Sequence, residues 1–483
     1  LLKYNIKFFL KISHKIITGK FVLLKFYLIL ALVLSQLPLA AQNSSNMRKL
    51  ANLNDHRADG EYSACWGYTA PNGREYAILG CAKGTAFIDI TDTNNIYEAA
   101  YLPGLDQASC CREMKVFSHY AYVVADGIPS GLQIIDLQYL PDSVRLVNTY
   151  FVGDFTMGHT ISQSGPYLYI HGGDYNIGGV FVLDLSIDPV NPVKRGEWEE
   201  YVVHDSRIVN DTIFACNIYN PPGRITVIDA RNKDNLTTIG YWENVPSPGP
   251  HNIAISDNMK YAFVTDEIGG NPRLLKIWDI SNLNNVIKIA EWQPPGITTS
   301  IIHNVELFGR YLFAAHYTAG LRVIDISNPF GPVEAAYYDT FPENDGFTFE
   351  GCWGPYIFNS EKIIASDRNT GLYVFKTNFP LKEKNPAIAE SFALGQNFPN
   401  PFNPVTTIKY SLKFDSYVTL RIYDAAGRLC ATVIDGNVQS GNRQINFDGS
   451  RFASGVYFYN LTATYREGVT KVFNESNKMI LLK

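Results

Sequence analysis

Seven apolar segments of one design recur along the chain. Six end on an acid: Gly84-TAFIDI, Gly131-LQIIDL, Gly179-VFVLDL, Arg224-ITVIDA, Leu274-LKIWDI and Gly320-LRVIDI; Gly371-LYVFKT takes the seventh place. The acids are Asp89, Asp136, Asp184, Asp229, Asp279 and Asp325, with Lys376 in the last slot. Ahead of each segment lies a second run, such as Tyr120-AYVVAD, Tyr261-AFVTDE or Tyr311-LFAAHY. A shorter one precedes that, such as His251-NIAIS or His303-NVELF. After the segment come a turn, clearest at Ser327-Asn328-Pro329, and an outer run such as Val333-EAAYY. Short alternating runs rich in aromatic and β-branched residues are strands. Four of them per repeat, at a period in the forties, mark the blades of a β-propeller around a central channel. The pattern predicts an all-β chain built on a seven-bladed propeller.

The seventh repeat has no outer run of its own. Beyond Phe375 the chain enters Leu381-KEKNPAIAES, part of a charged linker over 379–392. Arg48-KLANL, ahead of the first repeat, is similar to the outer runs Val333-EAAYY and Ile287-KIAEW. The N-terminal segment is therefore expected to supply the last strand of blade seven, closing the ring and removing exposed sheet edges. The propeller then covers residues 46–378. Residues 393–483 alternate again, in Thr406-TIKYSL, Val418-TLRIYD, Gln444-INFD and Gly455-VYFYNLTA. They predict a small immunoglobulin-like β-sandwich.

Composition agrees with this class. Aromatic residues make up 13% and charged residues only 18%, which disfavours coiled coils and disorder. A net charge of -5 excludes a basic nucleic-acid footprint. Residues 1–41 read as a signal peptide. Lys3, Lys7, Lys11, Lys15, Lys20 and Lys25 precede an apolar run from Phe26 to Leu34 and a small-residue end at Ala41. That run is too short to span a bilayer comfortably, so no transmembrane span is expected after its removal. Of seven cysteines, Cys65, Cys81, Cys110, Cys111, Cys216 and Cys352 lie in the propeller and Cys430 in the tail. Export permits disulfides among them; buried free thiols are the equal alternative.

Two stretches resemble known families. Gln396-NFPNPFNPVTTIKYSL, Val418-TLRIYDAAGR, Ala453-SGVYFYNLTA and Lys478-MILLK resemble the type A C-terminal sorting domain of the type IX secretion system of the Bacteroidota. That resemblance implies passage through the periplasm and across the outer membrane, removal of the tail, and the secretion machinery as a partner. Cys65-WGY, Cys111-REMKVF, Pro250-HNIAI, Ile302-HNVELFGRYLFAAHYTAGLRVIDIS, Cys352-WGPYIF and Ser366-DRNTGLYVF are similar to the choice-of-anchor B family, which carries LVIVD-type repeats. That similarity implies a secreted or cell-surface propeller and assigns it no activity.

Candidate chemistry gathers at one end of the blades. His159, His204, His251 and His303 recur in phase at the start of the innermost strand, and the ends of the second strands carry Asp126, Asn217, Asp266, His316, Asp367 and Arg368. Both rings are expected at one channel mouth, as ligand-binding residues. Imidazoles and carboxylates at short range bind a divalent cation, for which His251, His303, His316 and Asp266 are the expected set. They equally bind a polar glycan or peptide, and a repeated His also serves as a structural hydrogen-bonding group. The acids ending the third strands sit beside turns, where they cap backbone N–H groups. No G-x-S-x-G, H-E-x-x-H, P-loop or dinucleotide motif is present. A ligand- or partner-binding module is thus the first expectation. A metal-dependent hydrolase or lyase at the mouth, and a surface scaffold or adhesin without a pocket, are the alternatives.

Overall fold

A computed structural model describes residues 44–104, 108–246, 249–269, 273–382, 392–438, 440–467 and 469–483. The expected signal peptide and most of the expected linker lie outside them. The chain divides into two compact units between Phe379 and Pro380.

Among the described residues, the first unit forms seven antiparallel sheets, each built on four strands. The innermost strands are Tyr62–Thr69, Cys111–Phe117, Thr160–Ser164, Asp205–Val209, Pro250–Ile255, Val305–Phe308 and Cys352–Ile357. Each touches the next, and the seventh touches the first, so the sheets stand in a closed ring. This is a β-propeller. Hydrophobic cores fill the layers between neighbouring sheets. The third strands are apolar on both faces because both are covered: every residue of Leu132–Asp136 and Val180–Asp184 is buried.

The acid ending six of the third strands makes one bond in common. Its Oδ1 accepts the backbone N–H two residues on: Asp89 from Thr91, Asp136 from Gln138, Asp184 from Ser186, Asp229 from Arg231, Asp279 from Ser281 and Asp325 from Ser327, at 2.9–3.0 Å. The repeated acid is a turn-former.

The outer strand of the seventh sheet is N-terminal. Met47–Leu53 pairs with Gly371–Thr377, from Met47 opposite Thr377 to Leu53 opposite Leu372. All seven outer strands share one irregularity, a bulge against the third strand; in the N-terminal one it falls between Lys49 and Ala51, and in the first sheet between Phe87 and Ile88. Arg48-KLANL is thus an outer strand in its detail as well as its sequence. Ser44–Ser45 pairs further with Tyr337 and Tyr338 of the sixth sheet, tying two blades together.

The second unit has two sheets. One orders Ala393–Leu394, Val405–Leu412 and Gly441–Asp448; the other orders Leu429–Val438, Ser416–Asp424, Gly455–Glu467 and Val469–Leu481. Alternate residues Val418, Leu420 and Ile422 of one sheet and Ile408, Tyr410 and Leu412 of the other are buried in one shared core. That is the sandwich arrangement.

Candidate functional site

Four imidazoles stand in a row at one end of the channel. His159, His204 and His303 immediately precede or lead into their inner strands, and His251 lies within Pro250–Ile255. Backbone bonds hold three of them level: His159 N–H donates to His171 O, His204 N–H to Cys216 O and His303 N–H to Ala315 O. Ring centroids are 4.4 Å apart for His159 and His204, 4.3 Å for His204 and His251, and 4.1 Å for His251 and His303.

The two ends of the row are pinned. His159 Nδ1 donates to Asp126 Oδ2 at 2.9 Å, and its Nε2 shares a proton with His204 Nε2 at 2.9 Å. His303 Nδ1 donates to the Trp353 carbonyl at 2.6 Å, which leaves Nε2 as a lone pair. Between these ends the bonding is incomplete. His204 Nδ1 and His251 Nδ1 have no hydrogen-bond partner among the described residues. Glu267 lies across from the middle of the row, with Oε2 3.5 Å from His251 Nε2 and Oε1 3.6 Å from His303 Nε2. Tyr317 Oη donates to Glu267 Oε1 at 2.8 Å.

Burial sets the charge states. His204, His251 and His303 are held below the ordinary imidazole range, first by burial and then, for His204 and His303, by repulsion between neighbouring imidazoles. Burial also opposes the charge on His159, but the hydrogen bond and charge of Asp126 outweigh it and hold this imidazole above that range. The hydrogen bond to His159 lowers Asp126 in turn.

Beneath the row the channel holds a polar cavity of about 70 Å³, room for a few waters. Glu113, Lys115, Asp205, Arg207, Asn252 and Glu306 line it. Arg207 reaches across to Glu306 with two bonds at 3.0 and 3.1 Å and donates to Val305 O at 3.1 Å. Burial pushes Glu113 up to about 7.

Of the expected residues, the mouth therefore brings together His159, His204, His251, His303 and Asp126. Arg368 joins them at the rim: it pairs with Glu61 and lies 5.1 Å from the centroid of the Trp353 ring, itself tilted against the His303 ring at 4.5 Å. The other four turn into the blades. Asn217 bonds Val202 O and Thr226. Asp367 caps Asn369 and Thr370. His316 bonds Ser300 and packs edge-on to Trp292. Asp266 is fully buried, paired with Lys276 at 2.9 Å and with Asn244. The metal set expected from the sequence, His251, His303, His316 and Asp266, is thus not assembled. Among the described residues, one group of three metal-capable side chains lies within 4.8 Å: His204, His251 and Glu267.

Glu267, Tyr317 and Arg368 each directly follow a second-strand end, Asp266, His316 and Asp367. In extended chain, successive side chains point to opposite sides. In these three blades the strand-end residue faces its own blade and the next one faces the mouth, whereas in the second blade the strand-end Asp126 itself reaches His159. Repeat phase located the right end of the strand; the missing signal was this one-residue parity. His171 ends a second strand in the same phase and was also missed. It is fully enclosed, bonded to Thr160 and Ser206.

All seven cysteines are free. Cys110 and Cys111 stand at the rim with their sulfurs 2.6 Å apart. The Cys111 thiol donates to Cys110 and lowers it to about 7, aided by His159 and Arg368.

Comparisons with known proteins agree with the sequence resemblances. The secretion system C-terminal sorting domain matches residues 396–475, and the LVIVD repeat matches residues 302–340. A search of the curated proteins finds no match. Similar solved structures include the WD40 propeller domain of Doa1, at 10% identity, covering 68% of this chain and 96% of that one with a TM-score of 0.49. A Lactobacillus plantarum protein has 12% identity over 80% and 100% of the two chains, with a TM-score of 0.48. PorZ, a surface component of the type IX secretion system of Porphyromonas gingivalis, has 10% identity and a TM-score of 0.43 over 85% of this chain. The present chain spans 58% of the PorZ chain. The chain carries a type IX sorting domain and an LVIVD repeat, and it is exported to the cell surface or the extracellular space. Among the described residues, no helix is long and apolar enough to cross a membrane.

Proposed function

We propose that residues 46–378 are the working part of an exported binding module. On this reading they hold a small polar ligand, or the polar end of a glycan or peptide, at the histidine-lined mouth. Residues 393–483 serve as the sorting domain recognised by the type IX secretion machinery.

One observation carries the binding reading: the middle of the histidine row is buried yet incompletely bonded. A buried polar atom without a partner costs roughly 1–3 kcal/mol. The two histidines turned into the blades differ from each other: His316 bonds Ser300 and keeps an unpartnered Nε2. His171 is bonded at both ring nitrogens. His204 and His251 each keep an unpartnered Nδ1, and the Glu267 carboxylate faces His251 Nε2; on this reading a ligand supplies the missing partners.

Two measurements test this. The purified full chain is expected to bind members of a glycan and peptide array, and a His251→Ala/His303→Ala variant of unchanged fold is expected to lose at least about tenfold in affinity. Equal binding by both proteins would move the site off the mouth. Deletion of 393–483 in the native host is expected to strand the protein in the periplasm. Undiminished export of the truncated chain would remove the sorting role.

A further inference from the structure

Resting on the reading of the mouth as a binding site, we propose that it holds a divalent transition-metal cation of the zinc, copper or nickel kind, with His204, His251 and Glu267 as its ligands. These three come from the fourth and fifth blades. One ring nitrogen of each histidine and one oxygen of Glu267 lie within 4.8 Å of one another. Three ligands of a tetrahedral ion with bonds of about 2.1 Å stand about 3.4 Å apart. Side-chain rotations that move each donor by about an ångström therefore close the set around one ion, with no change of backbone.

The surroundings suit a metal. Metal ligands are held by outer hydrogen bonds that fix their orientation. Tyr317 Oη occupies Glu267 Oε1 at 2.8 Å and leaves Oε2 turned to His251. The Trp353 carbonyl fixes His303 through Nδ1 and leaves its Nε2 facing Glu267 at 3.6 Å. His303 is thereby placed as a fourth donor or as the acceptor for a metal-bound water.

The donor chemistry selects the class. Calcium and magnesium take sets of oxygen ligands, whereas two imidazoles and one carboxylate suit zinc, copper or nickel. Three protein ligands leave a position open toward the channel end. A polar ligand that reaches the mouth is then held partly through the ion.

The test uses the purified full chain, stripped with chelator and titrated with zinc(II) by calorimetry and with cobalt(II) by visible absorption. One equivalent is expected to bind, and cobalt is expected to show the intense visible bands of a low-coordinate site. Loss of an outer partner costs about 10–100-fold in affinity. Tyr317→Phe is therefore expected to weaken zinc binding by about tenfold. Glu267→Gln, which keeps the shape and the acceptor for Tyr317, is expected to weaken it by more than about 100-fold and to change the cobalt spectrum. His204→Gln decides in its place if near-ultraviolet circular dichroism shows that Glu267→Gln has lost its fold. No bound cation in the wild type, or unchanged affinity in the folded ligand variant, overturns the metal site. If metal is absent while the His251→Ala/His303→Ala variant still loses array binding, the metal fails and the mouth stands. If neither effect occurs, both readings fall.

Discussion

Removing residues 44–53 is expected to lower the stability of the propeller by roughly 5 kcal/mol or more and to make it prone to aggregate. The strand it deletes lies outermost in the seventh sheet, but its contacts join the two ends of the propeller. Met47 is buried, Leu50, Ala51 and Leu53 pack on the core between the first and seventh sheets, and the strand pairs along Gly371–Thr377. Asn52 Nδ2 donates to Thr370 O at 2.8 Å and Leu372 O at 3.1 Å, and Asn46 Nδ2 reaches Ala335 O of the sixth sheet at 2.9 Å. Burying a large apolar side chain contributes about 1.5–3 kcal/mol, and each net hydrogen bond about 1 kcal/mol. The exposed edge left behind, Leu372 to Phe375, is apolar and unpaired, the kind of edge that adds strands from other molecules. Denaturant melts of the deletion, beside Met47→Ala and the exposed Lys49→Ala, measure the effect. Met47→Ala is expected to cost about 2–4 kcal/mol and Lys49→Ala less than about 0.5. A deletion as stable as the full chain would mean that the ring closes by inner-strand contacts alone.

The fold was legible because its signals are local and repeated. A run of alternating apolar residues, an acid and a turn recur in each blade, and each acid makes the turn bond that its position implies. The N-terminal strand was legible through likeness to Val333-EAAYY, and the shared bulge gives that likeness a structural content. The site was legible only by halves. His159, His204, His251 and His303 were found because they start strands in phase. Asp266 and His316 were placed at the mouth although Glu267 and Tyr317, one residue on, are the ones that reach it. Which neighbour faces the channel depends on where pairing with the inner strand stops and on the turn that follows, and neither is written in the repeat period. Lys276 makes the same point: its cation sits in a third strand that reads as apolar, and it determines that Asp266 points into the blade.

Replacing His171 by Gln is expected to close the stability gap to the wild type by roughly 3 kcal/mol as the pH falls from 7.5 to 4. The imidazole of His171 is fully enclosed, with Thr160 Oγ1 2.7 Å from Nδ1 and Ser206 Oγ 2.9 Å from Nε2. Burial lowers it to about 4, and the nearby charges are Asp205, which opposes the shift, and His159 and Lys115, which add to it. A histidine lowered in the folded state stabilises the fold fully above its unfolded value of 6.5 and loses that contribution as acid approaches 4. The wild type therefore loses this contribution through that window, and the Gln variant, which cannot protonate, does not. At pH 7.5 the variant is the less stable of the two, because Gln fits the site less well and one hydroxyl loses its ring nitrogen. The comparison between two proteins isolates this one group. Other groups act in the opposite sense on the total: Glu113 and Asp266 are raised by burial to about 7 and 6, so their protonation in acid favours the folded state. His316, lowered to about 3, continues the loss below the window of His171. Urea unfolding of both proteins across the pH range, followed by tryptophan fluorescence, gives the gap directly. A gap that stays constant with pH would show that His171 is protonated alike in the folded and unfolded chain. The Thr160 and Ser206 hydroxyls would then be accepting protons from a charged imidazole.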